Sequence, residues 1–119
     1  MPTKCFLLDL KDDPALIARY REWHRPGGPP RAVIDALRAG GVKEMTIYLL
    51  GNRLCMVMEA DKAFDEEAKR ATERASPESA AWELQMSEYQ KPLPWAKPGE
   101  KWLEATSIFV LSEQPTGDA

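Results

Sequence analysis

One histidine, two cysteines and no basic cluster are present in this 119-residue chain, and each scarcity removes a class of function. Cys5 and Cys55 sit inside apolar runs with no ligand spacing, and His24 has no second imidazole, so a structural zinc site is not expected. Two reduced, buried thiols are preferred over a disulfide between these cysteines. Lysine and arginine number 16 against 19 acids, a net charge of −3 with no basic block, which argues against a nucleic-acid partner. No apolar run approaches a membrane span, and the opening MPTKCFLLDLKDD meets acid too early for a signal peptide. Gly27-Gly28 is too short and too proline-flanked for a phosphate-binding loop. These exclusions leave a cytoplasmic protein of one domain, residues 1–119, with 112–119 as a polar, frayed tail.

Alternation over residues 4–10 places Phe6, Leu8 and Leu10 on one face of a first strand and Cys5, Leu7 and Asp9 on the other. Asp13-Pro14 then reads as an N-cap and first helical residue, opening a helix that carries Leu16, Ile17, Tyr20 and His24. The cluster from Pro26 to Pro30 ends it, and a second helix is expected over 31–39, stopped by Gly40-Gly41. Strands over 42–50 and 53–60 are joined by Gly51-Asn52, a two-residue hairpin turn with glycine first. Asp61 is expected to open a third helix, with Phe64 and Ala68 inward and Glu66 paired to Arg70 outside. Ser76-Pro77 caps a fourth, running to about Gln90. A loop with Pro92, Pro94 and Pro98 follows, and a last strand is expected over 105–111.

This order is β-α-β-β-α-β, an α+β fold of the ferredoxin-like kind with both helical regions broken in two. Helices on one side of a four-stranded sheet leave the other face uncovered, and Cys5, Leu7, Phe109 and Leu111 or their alternates would make it apolar. Two such sheets packed face to face would bury it, so a homodimer is expected.

Any imidazole proton shuttle falls to His24, and Tyr20, four residues earlier, shares its helix face. The pair makes either a polyol-binding corner or a dipole-favoured terminal histidine beside a half-buried core tyrosine, and spacing leaves both readings open. Trp23, Trp82, Trp95 and Trp102 are more than a core of this size requires. Rings with polar handles suit the C–H faces of sugars, and Trp95, inside the proline-rich loop, has no helix to pack within. Met45, Met56 and Met58 read first as core filler. Glu66, Glu67, Glu73, Glu78 and Glu83 read as solvated helix charge, and Glu59 as a strand-rim or functional carboxylate.

The pattern Tyr20-x-x-x-His24-x-Pro26, the strand pair from Ile47-Tyr48 through Asn52-Arg53-Leu54, Glu59, and Ala81-Trp82-Glu83 resemble the L-rhamnose mutarotase family. Leu93-Pro94, then Pro98-Gly99-Glu100-Lys101-Trp102-Leu103 and Ile108-Phe109, are similar to its L-fucose branch. The resemblance spans about Lys4 to Leu111. It implies a dimeric α+β barrel that interconverts the anomers of a deoxy-hexose without metal or other cofactor. It further implies that His24 is the proton donor and that Tyr20, Met45 and Trp82 stand at substrate-binding positions, to which composition adds Trp95. Met45 stands where the family has a tyrosine, Ala81 where it has the first of two tryptophans, and Pro30-Arg31-Ala32 where it commonly has Trp-Pro-Glu. Arg31 would add a charge that a neutral sugar does not need. Two competing readings stay on the same fold: a non-catalytic barrel binding a sugar or small hydrophobe, and a cofactor-free oxygenase.

Overall fold

The computed structural model describes residues 3–117; Met1-Pro2 at the opening and the last two residues of the tail lie outside it. The chain runs β1 (Thr3–Leu10), α1 (Pro14–Trp23), α2 (Arg31–Ala39), β2 (Val42–Leu50), β3 (Arg53–Ala60), α3 (Glu66–Ala75), α4 (Pro77–Ser87), β4 (Gln90–Lys91) and β5 (Leu103–Glu104), then a 3-10 turn at Leu111–Glu113. The sheet is antiparallel with strand order β2-β3-β1-β4, the ferredoxin-like arrangement, and β5 also pairs with β1. No helix among the described residues is long and apolar enough to cross a membrane.

Local chemistry starts each element. Asp13 accepts hydrogen bonds from the Ala15 and Leu16 amides, so α1 begins at Pro14 as expected. Ser76 does the same for Ser79 ahead of Pro77. At the β2–β3 hairpin, Gly51 takes φ 59° while Asn52 does not turn positive, so the two-residue turn needs glycine at its first position only.

Directly opposed residues of antiparallel strands point the same way. Phe6, Leu8, Leu10, Leu54, Met56 and Met58 therefore share the face that the helices cover, and all are buried. The opposite face carries Cys5, Leu7, Cys55 and Val57, half-buried, with Tyr48 58% and Leu50 86% exposed. Asp9 stands there too, held in a two-point ion pair by Arg53 at 2.8 and 3.1 Å. The β1–β3 register sets Leu7 opposite Cys55, which brings the Cys5 and Cys55 sulfurs diagonally to 3.3 Å. The two thiols are free and half-buried rather than fully buried, because this sheet face has no helix over it. The Cys55 contact, with partial burial, pushes the Cys5 pKa up.

Three boundaries differ from the sequence-based expectation. The third helix starts at Glu66 under an Asp65 cap, not at Asp61. Asp61 instead pairs with Lys43 at 3.3 Å and accepts the Phe64 amide in a tight turn. The fourth helix stops at Ser87 because Gln90 and Lys91 are drawn into the ladder beside Leu10 and Asp9. The strand expected over 105–111 is absent. The fourth strand position is shared instead by β4 and β5, which flank β1 in the same direction and are separated by the loop 92–102. The Ala105 amide still donates to the Cys5 carbonyl at 2.7 Å, but the ladder with β1 goes no further and residues beyond 105 leave the sheet. Ile108, Phe109 and Leu111 are 95%, 65% and 76% exposed on the resulting arm. A radius of gyration of 16.2 Å exceeds the roughly 13–14 Å of a compact chain this long.

Candidate active site

Between the helices and the covered face of the sheet lies a cavity of about 270 Å³. This is near the small end of ligand sites and suits a monosaccharide rather than a chain of sugars. Its strand floor is apolar: Phe6 from β1, Met45 and Ile47 from β2, Met56 and Met58 from β3. Helices contribute residues at helical spacing, which is why few of them stand out when the chain is scanned position by position. From α4 come Ser79, Trp82, Glu83 and Met86; from α3 come Glu66, Lys69, Arg70 and Glu73; from α2 come Val33 and Leu37.

His24 is the C-cap of α1, where the helix leaves carbonyls without intrahelical partners. Its Nδ1 lies 2.7 Å from the Tyr20 carbonyl oxygen, which can only accept, so in the neutral ring Nδ1 carries the proton and Nε2 keeps its lone pair. The Tyr20 and His24 rings stack with centroids 4.2 Å apart, and Trp82 meets the imidazole edge-on at 5.5 Å. Trp23, 39% exposed, backs Trp82 at 6.1 Å. Gly27 and Gly28 make this corner buildable. Gly27 takes φ 83°, and a Cβ on Gly28 would lie 2.2 Å from the Trp23 carbonyl oxygen, so only glycine lets the chain fold back against the end of α1.

Burial lowers the His24 pKa below its usual 6.5, and the bond to the Tyr20 carbonyl partly opposes this. Burial raises the Tyr20 pKa, so its phenol stays protonated at neutral pH. The depressed His24 value also has a stability consequence. Between the folded value and 6.5 the unfolded chain binds more protons, so stability declines as pH falls through that window and is unaffected above it. Because His24 is the single histidine, its ring resonances are unambiguous in a proton NMR titration. The expected midpoint is below 6.5, and a midpoint at or above it would contradict the buried environment.

Tyr20, His24, Trp82 and Met45 come together around this one cavity. Trp95 does not line it and is 72% exposed on the loop. Trp102 does line it, packing between both core clusters, while the adjacent Lys101 donates to the Glu83 carbonyl at 3.0 Å and fastens the loop to α4. Arg31 points into solvent, its side chain 93% exposed and paired with Asp35 at 3.8 Å, so it brings no charge to this cavity. Glu59 stands half-buried near the end of β3 on the uncovered face, at the strand rim.

Charge read as solvated helix surface is a correction in two places, since Glu66 and Glu73 line the cavity half-buried, while Glu83 lines it but stays exposed as expected. They are neutralised in place: Lys69 bonds Glu73, Arg70 lies 3.7 Å from Glu66, and Lys101 lies 3.3 Å from Glu83. Ser79, Gln90 and Trp102 also line it, and none was singled out from the sequence as a site residue. The spacing Ser79-x-x-Trp82-x-x-x-Met86 was the available signal. Among the described residues, no group of three or more His, Cys, Asp or Glu side chains could hold a metal ion.

A cavity of monosaccharide size, with one titratable imidazole among aromatic rings and a charge-balanced rim, defines a small α+β protein acting on a neutral polar molecule. A sequence model described as L-rhamnose mutarotase matches residues 3–111. An L-fucose mutarotase of Xanthomonas campestris pv. campestris is 45% identical over 113 residues, covering 95% of this chain and 90% of that one. The crystal structure of an L-rhamnose mutarotase from Formosa agariphila aligns with a TM-score of 0.65 at 13% identity, over 93% of this chain and 99% of that one. Tetracenomycin F2 cyclase from Streptomyces glaucescens shares the fold at a TM-score of 0.51 and 17% identity, over 92% and 98%. The chain belongs to the L-rhamnose mutarotase family. It is a sugar mutarotase, an isomerase acting on carbohydrate.

Proposed function

We propose that this enzyme interconverts the α and β anomers of a 6-deoxy-hexose, favouring L-fucose over L-rhamnose, with His24 as the sole proton-transfer group. The observation that carries the proposal is the tethered imidazole: Nδ1 is committed to the Tyr20 carbonyl, and Nε2 is the basic atom left for substrate. Nε2 takes the proton of the anomeric hydroxyl as the bond from C1 to the ring oxygen breaks. The imidazolium returns that proton to the ring oxygen, giving the open aldehyde. Rotation about C1–C2 and the same steps in reverse close the ring on the other face. One group that both accepts and returns the proton serves both directions. The Tyr20 phenol donates to the sugar, and Trp82 offers a ring face to its C–H edge.

The apolar floor of Met45, Met56 and Met58 suits the C6 methyl group of a deoxy-sugar. The 45% identical relative, named an L-fucose mutarotase, supports fucose over rhamnose. Proton NMR saturation transfer between anomers of L-fucose and of L-rhamnose tests this directly. Faster exchange on L-fucose supports the reading, faster exchange on L-rhamnose reverses the preference, and no acceleration of either removes the activity.

We further propose that two protomers pack through the uncovered sheet face in a cytoplasmic homodimer. The exposed Tyr48 and Leu50 and the apolar arm with Ile108, Phe109 and Leu111 support it, since a lone chain leaves them in water. The free thiols on the same face suit a reducing compartment. Sedimentation equilibrium is expected to give twice the 13.4 kDa chain mass, and Leu50→Asp to shift the population toward single chains. A wild-type protein sedimenting at the single-chain mass would exclude the dimer.

A further inference from the structure

Two buried side-chain atoms on residues that line the cavity, the Gln90 carbonyl Oε1 and the Ser79 hydroxyl Oγ, have no hydrogen-bond partner among the described residues. Their residues are only 9% and 5% exposed. A buried amide oxygen or hydroxyl without a partner is costly, and neither position is one that the fold obliges to be polar. Gln90 is held in place from two sides. Its backbone opens β4 opposite Leu10, and its amide nitrogen lies 3.5 Å from the Tyr20 hydroxyl, donating to the oxygen and leaving the phenolic proton free. Ser79 sits one turn before Trp82 on the cavity stripe of α4, where its hydroxyl could have been a methyl group without loss to the core. The strand floor beneath them is apolar.

We propose that Gln90 and Ser79 are substrate-recognition residues that read ring hydroxyls of the sugar. Gln90 Oε1 accepts from one hydroxyl while its amide nitrogen orients the Tyr20 phenol toward the substrate, and Ser79 Oγ bonds a second hydroxyl. The four polar contacts are then His24 Nε2, the Tyr20 phenol, Gln90 Oε1 and Ser79 Oγ. The first performs the proton transfer, and the other three fix which hydroxyls and which ring orientation are accepted. This rests on the sugar-mutarotase reading of the cavity and deepens it by assigning specificity to residues outside the Tyr20–His24–Trp82 corner.

The test pairs sugar kinetics with thermal melting for Gln90→Leu and Ser79→Ala, using L-fucose as the probe in the anomer-exchange assay. A recognition role predicts that KM rises about tenfold in each variant, the worth of one hydrogen bond to substrate. The first-order exchange rate at saturation changes much less. Melting temperature stays level or rises, because an unpartnered buried polar group has been replaced by an apolar one. A structural role predicts the opposite split, with lower melting temperature and unchanged KM, and that result overturns the proposal. Ser79→Ala removes only one oxygen, so it reports even if Gln90→Leu disturbs the strand. If wild-type protein accelerates L-fucose exchange and both variants keep its KM, the recognition role fails while the activity stands. If wild-type protein accelerates neither L-fucose nor L-rhamnose, both fall together.

Discussion

Replacing His24 with alanine is expected to slow enzyme-accelerated anomer exchange by about 10²–10⁴-fold, the usual worth of one positioned acid or base. Nothing near it can substitute at neutral pH. Tyr20 is held protonated by burial, and Glu66, Glu73 and Glu83 are each committed to a cationic partner. The loss should fall on the exchange rate at saturation, since Trp82 and the apolar floor proposed to bind the sugar are untouched. The fold should survive, because the substitution removes one hydrogen bond to the Tyr20 carbonyl, a net contribution of about 1 kcal/mol. Saturation-transfer NMR on L-fucose measures the rate, and circular dichroism with a thermal melt checks the fold. A folded His24→Ala protein exchanging at the wild-type rate would leave the activity standing and eliminate the imidazole mechanism.

Leu10→Ala is expected to cost about 2–5 kcal/mol of stability, the cost of a truncated core leucine together with the cavity it leaves. Leu10 is 0% exposed and packs in the cluster of Tyr20, Leu54, Trp82, Met86 and Tyr89 that supports the active-site corner. Since small domains total about 5–15 kcal/mol, the variant should melt far below wild type. The same substitution at Leu84, 76% exposed on the outer side of α4, should change stability by no more than about 0.5 kcal/mol. Urea melts of the two variants give the comparison directly. Equal losses would mean that the outer side of α4 is covered in solution, or that the core beneath Tyr20 is looser than its packing indicates.

The helix starts and the hairpin were legible because their causes are local. Asp13-Pro14 and Ser76-Pro77 each bring a capping oxygen and a preset φ, and Gly51-Asn52 brings the one residue that turns positive. Asp61 misled for an equally definite reason, since two aspartates stood in line and the cap went to Asp65 while Asp61 paired with Lys43. Sequence periodicity could not anticipate the end of the sheet. Residues 108–111 are as apolar as a strand, but the chain leaves the edge of β1 after Ala105 and carries them into solvent.

The Tyr20–His24 pair was readable from an i,i+4 step, and the family resemblance rests on residues that any unfolded copy of the chain also carries. Fold class, the one imidazole available for proton transfer and the face of each strand that turns inward are properties of the sequence by itself, because they follow from spacing along the chain. Other features exist only once the elements are stacked. The Tyr20 carbonyl assigns the His24 tautomer, the α3 charges close over the cavity as matched pairs, and Gln90, 70 residues from Tyr20, comes to its hydroxyl. These are tertiary decisions, since hydrogen bonds and desolvation depend on which distant groups share a space, and chain spacing carries no record of that.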